Sequence, residues 1–258
     1  MPRLTPALIS GMMTIVMAAC GPINTAPPPE FTSVSTSTPA PTATTVWFPP
    51  TATGTLLIVP TQALLPTEDI QLLYGSLVIN DNFDNPETWT LGKVPDGSMA
   101  LGLDELTLAV SRHRGQLVSL RQDTQFEDFY LEVTASPSIC QEADEYGIML
   151  RVSSLQEFFR FSLTCDGRAR VDRYYRDIAS SPHPPEYFGV IPPGAPSSSR
   201  LGVWVSGPEM RFYANGSYLF SIRDSTIPSG GLGLYARALS SNSMTVNFSE
   251  FKIYEALP

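Results

Sequence analysis

Positive charge is scarce in this sequence. Sixteen Lys and Arg stand against 25 Asp and Glu, for a net charge of −9. No basic stripe exists to neutralise phosphates, so nucleic acid is not an expected partner. Histidine is rarer still. His113 and His183 are the only two, and neither lies near a cysteine or a paired acidic motif, which argues against a zinc site and against a Ser-His-Asp triad. Cysteine occurs three times, at 20, 140 and 165, an odd number that leaves one thiol over. No stretch reads as a long helix. The chain has instead 24 prolines, unevenly spread, and many short segments that alternate apolar with polar residues.

Met1–Ala19 holds one arginine, an apolar run from Ala7 to Ala19 and small residues before Cys20. The run is shorter than the ~20 residues a spanning helix needs and fits the apolar region of a secretory signal peptide, residues 1–19. Met17-Ala18-Ala19-Cys20 resembles the bacterial lipobox, with methionine where leucine is usual. The resemblance implies a lipidated Cys20, export, and anchorage to the outer face of a bacterial membrane through that lipid alone. The alternative is an ordinary signal peptide with Cys20 incidental. With Cys20 lipidated, two cysteines remain to pair. Residues 20–68 are low in charge and rich in Pro, Thr, Ser and Ala, a composition too poor in apolar surface to offset chain entropy. A disordered tether reaching between roughly 40 and 150 Å is expected. Its apolar islands, Val46–Phe48 and Leu56–Val59, are either sticky but disordered or an added strand at the domain edge.

A folded domain is expected over residues 77–256. Glu145–Tyr175 reads as three antiparallel strands with period-two alternation. A hairpin centred between Ser154 and Leu155 sets Ile148 opposite Phe161 and Leu150 opposite Phe159. A three-residue turn at Cys165-Asp166-Gly167 then pairs Leu163 with Ala169 and Phe161 with Val171, again apolar with apolar. In this register Cys165 falls opposite Asp144, and a modest bend brings Cys140 close enough for a Cys140–Cys165 disulfide. Earlier segments include Leu77–Ile79, Glu105–Ser111, Gln116–Arg121 and Asp128–Thr134, with Phe83 and Trp89 as core plugs. Arg176–Ser199 is expected to be a long proline-rich loop. Beyond it, Val205 pairs with Met210 and Val203 with Phe212. A second three-residue turn, Ala214-Asn215-Gly216, would bring Phe212 beside Tyr218 and Met210 beside Phe220. Such a number of short strands predicts an all-β, two-sheet antiparallel sandwich, a jelly roll.

Tyr146–Val152, Phe158–Gly167, Arg200–Asp224, Gly230–Ala236 and Val246–Glu255 together resemble concanavalin A-like and laminin G-like jelly rolls, in particular the domain shared with 3-keto-disaccharide hydrolases. The resemblance implies a glycan enzyme, a sugar-binding module, or a domain without a ligand, because its motifs are turn and core features.

The chemistry is less defined than the fold. The E-x-D-x-x-E strand of related glycanases is absent. Glu127 and Asp128 point to opposite faces of a strand, and Asp128 and Glu132, which share a face, lie about 13 Å apart along it, too far for a glycosidase pair, so all three read as solvated face residues. No cofactor is required; Asp81 and Asp84 either cap turns or, with a further ligand, hold calcium. Two candidate ligand faces stand out. One carries Arg151, Phe158 and Tyr174 in a row, with Arg160 and Asp172 in the next. The other carries Trp204 opposite Arg211, with Tyr213 nearby. Aromatic rings beside charged groups suit sugar recognition, while a solvated sheet face with an Arg160–Asp172 pair and an Arg211–Trp204 stack is the plainer reading. Expected partners are a glycan or an envelope protein.

Overall fold

Alternation with period two runs through most of the chain beyond residue 73, and in a computed structural model each such stretch is a strand. The structure describes residues 73–122, 125–241 and 243–257. The signal peptide, Cys20, the tether and its apolar islands lie outside the described residues. In chain order the strands are β1 (Tyr74–Asp81), β2 (Gly92–Val94), β3 (Gly97–Leu101), β4 (Leu106–Val110) and β5 (Gln116–Leu120). Then come β6 (Phe129–Ile139), β7 (Glu145–Ser154), β8 (Glu157–Thr164), β9 (Arg168–Tyr175) and β10 (Ile178–Tyr187). The last are β11 (Ser199–Ser206), β12 (Glu209–Ala214), β13 (Ser217–Arg223), β14 (Gly231–Arg237) and β15 (Met244–Ala256). They form a nine-stranded sheet, ordered β13-β12-β11-β6-β15-β4-β3-β2 with β1 also on β15, and a six-stranded sheet, ordered β10-β9-β8-β7-β14-β5. All pairings are antiparallel.

The core lies between the two sheets. Leu106, Leu108, Phe129, Leu131, Val133, Leu201, Val203 and Phe248 face it from one side, and Ile148, Leu150, Phe159, Phe161 and Leu234 from the other. Phe161 meets Phe212 across the interior, ring centroids 4.9 Å apart. Phe83 and Trp89 are buried as expected. Their turn is set by Asp81, whose Oδ1 accepts the Phe83 N–H at 2.8 Å while Oδ2 accepts from Trp89 Nε1 at 3.1 Å and pairs with Arg121 at 3.2 Å. Asp84 is exposed.

The expected pairings Ile148–Phe161, Leu150–Phe159, Leu163–Ala169 and Phe161–Val171 are all present. Cys140 and Cys165 are bonded, with Cα atoms 5.8 Å apart, inside the normal disulfide range. Asp144 sits at this corner fully buried. Its Oδ1 accepts the backbone N–H groups of Leu239, Ser240 and Ser241, and its Oδ2 accepts from Gln141 N and Ser241 Oγ.

Three expectations fail for identifiable reasons. Ile178–Tyr187 is a strand, not a loop, paired to β9 through two register shifts. It forms the sheet edge, where prolines such as Pro182, Pro184 and Pro185 are tolerated because an outward N–H has no ladder partner to lose. The β12–β13 turn has two residues, Asn215 at φ 51° and Gly216 at φ 78°, the left-handed pair that Asn-Gly favours. Tyr213 therefore pairs with Tyr218, and a further register shift between Phe212 and Tyr213 sets Phe212 opposite Phe220 and Met210 opposite Ile222. Finally, the β7–β8 ladder shifts between Leu150 and Ser154, where Arg151 takes φ 50°.

Candidate ligand-binding face

The bulge at Arg151 resets the alternation of β7, so Val152 takes the outward place beside Phe158 and Arg151 does not. Arg151 is 1% exposed. Its Nη1 donates to Ile227 O at 3.1 Å, and its Nη2 to Glu127 O at 3.2 Å and Gly207 O at 2.6 Å. Burial lowers its pKa, while Asp128, Glu127 and Asp224 work to raise it. Arg151 therefore clamps three chain segments and does not stand in the Phe158–Tyr174 row.

Trp204 also departs from expectation. It does pair with Arg211, whose guanidinium sits 4.7 Å from the indole centroid. It is nevertheless only 5% exposed, because the N-terminal end of β1 lies on it. Trp204 Nε1 donates to Leu73 O at 2.9 Å, and Tyr74 stacks on Tyr130 at 4.6 Å. Tyr213 is buried in the same cluster. This outer face of the nine-stranded sheet also holds an open polar cleft of about 430 Å³. There Thr134 Oγ1 donates to Glu250 at 2.9 Å and Arg200 approaches the same carboxylate at 3.9 Å.

The outer face of the six-stranded sheet gathers the other predicted residues. Phe158 and Tyr174 pair across β8 and β9 and stack, centroids 4.6 Å apart at 21°. Phe158 is as buried as Trp204, so the half-buried Tyr174 is the ring of the pair that reaches the surface. In the next row Met149, Arg160 and Asp172 are neighbours. Arg160 Nη2 meets Asp172 at 3.0 Å and Glu145 at 3.5 Å. Arg170 reaches the same two carboxylates, Glu145 at 3.4 Å and Asp172 closer still. Two guanidiniums and two carboxylates thus close a ring of no net charge. Burial is the dominant influence on Glu145 and holds its pKa above the carboxylate norm against the pull of Arg160 and Arg170. Tyr174 and Tyr235 flank Arg160, with centroids 5.2 and 4.9 Å from its guanidinium carbon. Tyr235 pairs with Gly147 and Gly147 with Ser162, yet the Tyr235 hydroxyl bonds Ser162 Oγ directly. The ring spans the glycine, and a Cβ at Gly147 would run into the Phe161 carbonyl.

Alternation predicts Arg160, Arg170, Asp172 and Tyr174 on this face. Glu145, Gln116 and Tyr235 are additions. Glu145 was legible by counting back in twos from Met149. Gln116 and Tyr235 were not, since they arrive on β5 and β14, which join the sheet only through long-range pairing. Gln116 Oε1 accepts from Arg160 Nη1 at 3.3 Å and opens onto a cleft of about 310 Å³ floored by Val118, Met149 and Phe158, with Val94 and Leu155 at its rim. Among the described residues no group of three or more His, Cys, Asp or Glu is placed to hold a metal.

No protein-family model matches the sequence, and no curated protein matches it significantly. Solved structures do match in fold. The carbohydrate binding module CBM66 from Bacillus subtilis superposes with TM-score 0.50 at 14% identity, covering 65% of this chain and 96% of its own. A protein of unknown function with a galectin-like fold from Bacillus subtilis gives 0.53 at 13%, covering 71% and 98%. LamAcat from Zobellia galactanivorans gives 0.50 at 11%, covering 70% and 98%. At these identities the likeness is one of architecture: the described domain shares the two-sheet antiparallel jelly-roll sandwich of these structures.

Proposed function

We propose that this protein is a cell-surface lipoprotein whose jelly-roll domain binds carbohydrate on the outer face of its six-stranded sheet. The observation that carries the reading is the juxtaposition of the stacked Phe158–Tyr174 pair, the neutral Arg160–Asp172–Arg170–Glu145 ring and the adjoining cleft. Aromatic rings cover the apolar faces of pyranoses and polar groups bond the hydroxyls. Here Tyr174 and the partly exposed Arg170 are the groups within a ligand's reach, and the buried Glu145, Arg160 and Asp172 hold them in place. Likeness to a carbohydrate binding module supports it at the level of fold. The test is a glycan array followed by calorimetry, with Tyr174→Ala weakening any hit at least fivefold. An empty array would transfer the ligand role to an envelope protein. Anchorage rests on Cys20, and Cys20→Ala should abolish incorporation of labelled fatty acid.

A glycosidase acting on ordinary or 3-keto-disaccharides is the second reading, favoured by one observation. Glu145 and Asp172 converge on a single Arg160 nitrogen, and a pair of nearby carboxylates is what glycoside hydrolysis needs. Against it, each carboxylate is tied to both guanidiniums and almost wholly buried. Turnover lost in Glu145→Gln would establish hydrolysis over binding.

A further inference from the structure

We infer that the cleft beside β5 receives the acyl group of an acylated sugar, and that Gln116 reads the acyl carbonyl. The inference rests on the carbohydrate reading above and narrows it to a substrate class. The described lining residues are all neutral, in a chain whose net charge is −9, and Gln116 is the single polar side chain among them. A charged ligand group would be desolvated there without a partner.

The orientation of Gln116 follows from its neighbour. Arg160 only donates, so the Gln116 atom facing it at 3.3 Å is the carbonyl oxygen. The amide NH2 is thereby turned from Arg160 and left with two donors to offer. The matching ligand presents an acceptor set in apolar surface. A hydroxyl fits poorly, since its own proton would need an acceptor that the cleft's other described side chains do not supply. An amide or ester carbonyl needs none, and its alkyl part lies against Val118, Met149 and Phe158. The Gln116 backbone is held at the β5 edge by its N–H bond to Asp96 at 3.1 Å, and its side chain by the Arg160 bond to Oε1 at 3.3 Å. The donor is thus fixed before the ligand arrives, which limits the ordering cost of binding. At about 310 Å³ the cleft exceeds what one methyl group fills.

The experiment is calorimetry on the full chain in detergent, with matched disaccharides of glucose, galactose and mannose in plain, N-acetyl and N-butanoyl forms. The N-acetyl form of the preferred sugar should bind at least tenfold more tightly than the plain form. The N-butanoyl form should gain about fourfold more per added methylene. Gln116→Glu keeps an acceptor for Arg160 but removes both donors. It should leave the melting temperature within a degree or two while reducing the N-acetyl preference to less than twofold. Equal binding of plain and acylated sugars, or an acyl preference untouched by Gln116→Glu, would overturn this inference and leave carbohydrate binding standing. Absence of binding to any sugar, here and on the array, would overturn both.

Discussion

Arg151 was expected to meet a ligand and instead meets three backbone carbonyls, so its removal should be read in stability. Each bond comes from a charged donor, a class worth about 1.5–3 kcal/mol apiece. Two of the three carbonyls are only partly buried, and bonds from one side chain are not additive. About 3–4 kcal/mol is therefore the expected loss for Arg151→Ala. For a domain of this size that is a fall of roughly 6–15 °C in Tm. A control is built into the backbone. Arg151 sits at φ 50°, a conformation that costs an L-residue about 1–2 kcal/mol and glycine nothing. Arg151→Gly should therefore be about 1 kcal/mol less harmful than Arg151→Ala. Paired urea and thermal unfolding would measure both, with glycan affinity followed in parallel at a temperature where each variant is folded. A loss under 1 kcal/mol for Arg151→Ala, or affinity falling tenfold at intact stability, would refute the clamp and restore a ligand role.

Two further predictions concern the same domain. Reducing Cys140–Cys165, or replacing both with serine, opens a loop with a sequence separation of 25. The chain-entropy model puts the loss near ~3.5 kcal/mol, or roughly 7–14 °C; peptide mapping of exported protein that finds both thiols free would contradict it. His183 stacks on Phe220 at 3.6 Å, and burial lowers its pKa against the pull of Glu186. Above the ordinary histidine value both folded and unfolded chains keep it neutral. As pH falls through that value the unfolded chain takes up a proton the folded one refuses, so stability should be lost down to the depressed folded pKa. Urea midpoints at pH 7.5 and 5.5 should differ more for the wild type than for His183→Phe, and equal differences would sink the argument.

Local pairing was legible wherever alternation ran unbroken. The β7–β8–β9 meander and the β11–β12 hairpin follow from matching apolar with apolar, and the Cys140–Cys165 bond follows from the meander's register. Alternation failed where one residue took a left-handed conformation. The bulge at Arg151 moved its side chain off the face, and nothing in the composition of β7 marks that step. The two-residue turn at Asn215-Gly216 was readable from its residue pair, yet analogy with Cys165-Asp166-Gly167 favoured three. Prolines in Ile178–Tyr187 concealed a strand because they are compatible with an edge, and edge position is a property of sheet order. Trp204 looked solvent-facing because its cover, Leu73 and Tyr74, lies far away in sequence. The candidate site was half legible for the same reason: Arg160, Asp172, Phe158 and Tyr174 belong to one meander, whereas Gln116 and Tyr235 join them only when β5 and β14 dock.

The bond from Trp204 to the Leu73 carbonyl has a mechanical consequence. The chain enters the domain on the outer face of the nine-stranded sheet, and β1 then zips along β15, with Tyr74 opposite Ala256. Tension drawn through the residues before 73 is taken first by that indole bond, by the Tyr74–Tyr130 stack and by the β1–β15 ladder. The Phe158–Tyr174 and Arg160–Asp172 rows belong to the other layer of the sandwich, although the adjoining cleft is bordered by Val94 and Met99 of β2 and β3. Load drawn onto β1 thus enters the fold at β15, away from the aromatic and ion-pair rows carried by β8 and β9.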